Sequence, residues 1–87
     1  MTLEDIEIKT KLDSIAWTVY RINRDTSSYD VNFAMSNSQI SVLFFESNIQ
    51  ACSFLIECDD PHLIDRLNDC ERFLLKKLRT QNNRRVR

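Results

Sequence analysis

Between Ile40 and Leu78, two apolar runs, ISVLFFE and IQACSFLIEC, are joined by Ser47-Asn48 and stopped by Asp59-Asp60-Pro61. A helical pattern follows. No other stretch restricts the fold as strongly. A two-residue break leaves no room for a crossover, so the two runs must be antiparallel neighbours. Asp60 reads as a helix cap. Pro61 reads as the first helical residue, where its missing N–H is no loss. Beyond it, Leu63, Leu67, Cys70, Leu74 and Leu78 recur at spacings of four and three, the stripe of a helix laid on a sheet. That helix is expected to fray by Thr80.

Upstream, YDVNFAM (29–35) alternates, with Tyr29, Val31, Phe33 and Met35 on the face expected to be buried. The SNS segment (36–38) is turn chemistry built without glycine, of which the chain has none. IQACSFLIEC is apolar on both faces in its second half, which points to a central or covered strand. Residues 3–22 admit two readings. DIEIKTKL alternates with a period of two, while Ile8, Leu12, Ile15, Ala16 and Val19 share one helical stripe. The β-branched content of IAWTVYRI (15–22) tips the balance to strands, with NRDTSS (23–28) as a polar loop.

The expected fold is therefore α+β: an antiparallel β-meander of three to five strands packed against a long C-terminal helix. Residues 1–80 form one domain, and 81–87 a flexible basic tail. Eighty-seven residues bury a modest core, and chains of this size commonly gain stability by pairing.

Composition narrows the function. Phosphate-cradling loops need glycine and are excluded. The three cysteines, Cys52, Cys58 and Cys70, are an odd number, and no apolar run approaches the roughly 20 residues of a membrane span. Nothing in Met1–Lys11 reads as a secretion leader. The expectation is a cytoplasmic protein with free thiols and no membrane partner. The net charge of −1 is divided unevenly. Residues 76–87 hold six of the twelve cations and no acid, so the tail carries +6; the other six cations and all thirteen acids leave −7 on the rest.

Cys58, His62 and Cys70, with Asp59 or Asp60, are the nearest approach to a metal set, but the close cysteine pairs of structural zinc sites are missing. His62 with a cysteine is the minimum for nucleophilic catalysis. A histidine in the first turn of a helix is better explained as a solvated residue. The carboxylates from Glu57 to Glu71 crowd the first half of a helix, where its dipole favours them. No cofactor, no metal and no enzymatic activity are expected.

One feature exceeds its structural need. Ile64, Phe73 and Leu75 lie beside or off the helix stripe, and Leu43 and Phe45 face away from Ile40, Val42 and Phe44. One helix cannot cover both faces of a sheet, so the surplus implies a second molecule. The expected function is a non-enzymatic protein-binding module (an adaptor, inhibitor or chaperone-like regulator), acting as a homodimer. Its partner-binding residues would be Leu43, Phe45, Ile64, Phe73 and Leu75. The alternative is a nucleic-acid binder using Trp17, Arg79, Arg84, Arg85 and Arg87. Against it, an acidic body repels phosphate.

Overall fold

Residues 3–25 form one helix, not strands. In the computed structural model, which describes residues 2–25 and 28–85 (the side chains of 25 and 82–85 excepted), the chain runs α1 (Leu3–Asp25), β1 (Tyr29–Met35), β2 (Gln39–Glu46), β3 (Ile49–Glu57) and α2 (Leu63–Arg85). Thr2 and Asp5 start α1 with a reciprocal cap. The Thr2 hydroxyl accepts the Asp5 N–H, and the Asp5 carboxylate accepts the Thr2 N–H, each at 3.1 Å. Ile8, Leu12, Ile15, Val19 and Ile22 then form a core stripe, with Ile15 and Ile22 fully buried. Ile6 and Thr10, which the period of two had placed with Ile8, are exposed. The gain from burying a helical stripe, roughly 1.5–3 kcal/mol per large side chain, outweighs a β-branched preference of tenths of a kcal/mol per residue.

The three strands pair antiparallel in the order β1-β2-β3. The meander and its closing helix are as expected from the sequence, with three strands. β3 is an edge strand, not a central one, because α1 took up the residues that would have supplied a further strand. Ser47 and Asn48 both take positive φ (53° and 68°), giving a two-residue hairpin turn of the mirror-image kind without glycine. Ser36 makes the other turn, its hydroxyl accepting the N–H groups of Ser38 and Gln39.

Register assigns the faces. Tyr29, Val31, Phe33, Ile40, Val42, Phe44, Cys52, Phe54 and Ile56 share one side. Both helices pack there, α1 over β1 and α2 over β3, side by side. Met35, at the end of β1, is 60% exposed although its face is the covered one. The helices run parallel, since Lys11 meets Glu71 at 3.2 Å and, further along both, Gln81 Nε2 donates to the Ile22 carbonyl at 3.3 Å. Gln81, expected in the tail, is thus buried, and α2 continues past Thr80 to Arg85.

Asp60 holds the turn ahead of α2, but the first helical residue is Leu63 and not Pro61, because Pro61 and His62 form a tighter turn closed by the Leu63 N–H on the Asp60 carbonyl at 3.1 Å. The Asp60 carboxylate accepts the His62 N–H at 2.7 Å and the Arg66 Nε–H at 2.7 Å. The aromatic centre of the core is Phe44, edge-on to Phe73 (5.3 Å between centroids) and tilted against Tyr29 (5.1 Å). The Lys77 ammonium lies 5.4 Å from the Phe44 ring and 5.6 Å from that of Phe73.

Candidate protein-interaction surface

With both helices on one side, the other side of the sheet is uncovered. Register places Asp30, Asn32 and Ala34 of β1, Gln39, Ser41, Leu43 and Phe45 of β2, and Gln50, Ser53, Leu55 and Glu57 of β3 on it. Leu43 and Phe45 are half-buried among their neighbours, and Leu55, diagonal to Leu43, is 60% exposed. Leu43, Phe45 and Leu55 are thus the large apolar side chains of this face, set among Asn32, Ser41, Gln50 and Ser53. Its ionisable groups are Asp30 and Glu57, with no lysine or arginine among the strand residues.

The five nominated partner-binding residues do not form one surface. Leu43 and Phe45 lie together on the open face. Ile64, Phe73 and Leu75 belong to α2, on the opposite side of the sheet. Phe73 packs its ring on Phe44 and Phe54 (5.5 Å) of its own chain. Ile64 is half-buried, and Leu75 is 40% exposed. Leu55 was not nominated. Its signal is in the sequence, since it alternates with Phe54 and Ile56, but a central or covered strand would bury both faces alike.

The two edges of the sheet differ. The Asn23 side chain takes both backbone groups of Val31, donating to its carbonyl and accepting its N–H, each at 2.8 Å. α1 thus occupies the outward backbone groups of Val31 on the β1 edge. Val31 must point its backbone away from β2, and antiparallel alternation then turns the N–H and C=O groups of Ser53 and Leu55 outward on β3. The flanking bonds Ser47 N–H to Ser28 and Cys58 N–H to Ser38 fit the same phase.

The nucleic-acid residues are also scattered. Trp17 is 58% exposed on α1, stacked on Tyr20 at 5.4 Å, with the Arg24 guanidinium 5.7 Å from the Tyr20 ring. Arg79 is exposed on α2. The side chains of Arg84 and Arg85, and Arg87 entirely, lie outside the described residues.

Chemistry at the thiols and histidine is constrained by placement. Cys70 is fully buried in the α2 stripe, and burial, with Cys52 and Glu71 nearby, pushes its thiol up to about 12, so it stays protonated at neutral pH. Cys58 and His62 are exposed at the β3–α2 junction, and the His62 ring faces Asp65 at 3.9 Å. Among the described residues no three His, Cys, Asp or Glu side chains are grouped to hold a metal ion. No helix among them is long and apolar enough to cross a membrane.

Comparisons with protein-family models, with curated proteins and with solved structures each find no match to this chain.

Proposed function

We propose that this protein is a non-enzymatic, cytoplasmic protein-binding module that acts as a homodimer through its open sheet face. One observation carries the reading: Leu43, Phe45 and Leu55 lie on a face that neither helix covers. Two such faces stacked would bury them in a sheet-on-sheet core. Three strands about 4.8 Å apart and seven residues long give a flat footprint of roughly 300 Å². That is well short of the roughly 800 Å² per partner of a durable interface, so the pairing is weak and responds to concentration. An adaptor, inhibitor or chaperone-like regulator would use such a surface. Light scattering over a dilution series tests it. Wild type should pass from dimer to monomer, and Phe45→Lys should be monomeric throughout with its circular dichroism unchanged. A wild-type protein that stays monomeric at every concentration overturns the reading.

A second reading, nucleic-acid binding, is favoured by the exposed Trp17–Tyr20 stack beside Arg24. It requires binding of a labelled oligonucleotide that weakens steeply with salt. Absence of any shift at low salt removes it.

A further inference from the structure

We propose that the outer edge of β3, with the groove between it and α2, takes an extended cationic segment of a partner protein as a fourth strand. This rests on the protein being a binding module, but it uses a surface separate from the open face. Three observations support it. First, the β3 edge is unguarded. On β1, Asn23 occupies the outward groups of Val31, whereas Ser53 and Leu55 point their backbone donors and acceptors outward, and the run from Gln50 to Ile56 holds no charge and no proline. The register slip between Phe44 and Phe45 lies opposite the start of β3, so the strand from Cys52 onward is regular enough to template another.

Second, there is room beside it. A groove of about 240 Å³ runs between the strand and α2, lined by Ser53 to Ile56 and by Arg66 and Asp69. A peptide added to the edge would direct alternate side chains into this groove, over Phe54 and Ile56, and the others alongside Leu55.

Third, charge selects the occupant. Arg66 is committed to Asp60 at 2.7 Å. Asp69 has its nearest cation, Arg72, at 3.9 Å, with both side chains largely exposed. Asp69 is thus the carboxylate of the groove lining that has no close cation. A second copy joined β3 to β3 would add another such carboxylate, whereas a strand bearing lysine or arginine would pair with it.

The test is selection of a displayed random-peptide library on the full chain, with enriched peptides synthesised for titration and amide chemical-shift mapping. Expected are peptides with β-branched residues at alternate positions and a lysine or arginine, shifting the amides of Ser53 and Leu55. Their affinity should fall about fivefold to tenfold in Asp69→Lys, the size of an exposed charge pair reversed. Binding should be lost in Ser53→Pro, which removes an outward N–H without touching the β2–β3 ladder. No enrichment over bare support, or affinity unchanged in Asp69→Lys, overturns the proposal. So do shifts confined to Leu43 and Phe45, or Ser53 protected by self-pairing alone. Phe45→Lys separates the two readings. If the protein dimerises and this variant still binds peptide, both stand; if wild type dimerises and no peptide binds the edge, only this one fails.

Discussion

Asn23 grips Val31 at both its backbone groups, with two hydrogen bonds of 2.8 Å. A side-chain amide on a helix thus takes the place of a neighbouring strand. Each bond is worth roughly 0.5–1.5 kcal/mol net, so Asn23→Ala should destabilise the fold by about 1–3 kcal/mol in urea unfolding. The variant should also gain concentration-dependent association at the newly opened β1 edge, which sedimentation would detect. Unchanged stability would show that the amide contributes nothing.

Core and surface leucines on α2 should separate cleanly. Leu67 and Leu74 are fully buried, and either changed to Ala should cost about 2–5 kcal/mol. Leu75, one position along and 40% exposed, should cost under about 1 kcal/mol when truncated. Urea midpoints of the three variants check the order.

How much of this was readable follows from where the pattern is unambiguous. Leu63 to Leu78 repeats at helical spacing behind an Asp-Pro start, and Ser47-Asn48 admits only a tight turn, so α2 and the β2–β3 hairpin follow from local chemistry. α1 was obscured because Ile6, Ile8, Thr10 and Leu12 satisfy a period of two by coincidence. The 4-3-4-3 spacing of Ile8, Leu12, Ile15, Val19 and Ile22, and the Thr2–Asp5 box, were the signals that decide it. Two of the three apolar residues of the candidate surface, Leu43 and Phe45, were legible from alternation in β2. Leu55 required knowing that β3 is an edge, and Asn23 at the backbone of Val31 is a tertiary contact that no spacing reports.

Two carboxyls make stability depend on pH. Asp60 is held below its ordinary value chiefly by the His62 N–H, with Arg66 assisting. Glu71 is held below its own by the Ser14 hydroxyl first and then by Lys11, which together outweigh partial burial. A carboxyl depressed in the folded state contributes stability above its unfolded pKa and loses it as pH falls through the folded one. The melting temperature should therefore hold near neutrality and decline below the ordinary carboxylate range. Glu71→Gln should flatten part of that decline and lower neutral stability by about 1 kcal/mol. A wild-type profile flat into strong acid would contradict the assignment.

The glycine-free hairpin leaves stability unclaimed. Positive φ at Ser47 and Asn48 disfavours residues with a Cβ, serine more than asparagine. Replacing the pair by Asn-Gly, the best sequence for this turn, should stabilise by about 0.5–1 kcal/mol and leave the oligomeric state alone. Thermal melts of the double variant decide it; a lower melting temperature would contradict the turn geometry.

The most direct measurement is an isotope-filtered NOE experiment on mixed labelled and unlabelled protein at high concentration. Contacts between protomers should connect Leu43, Phe45 and Leu55 of one chain with the same residues of the other. Intermolecular contacts that avoid these three residues, or none at all, would contradict the open face as the surface of association.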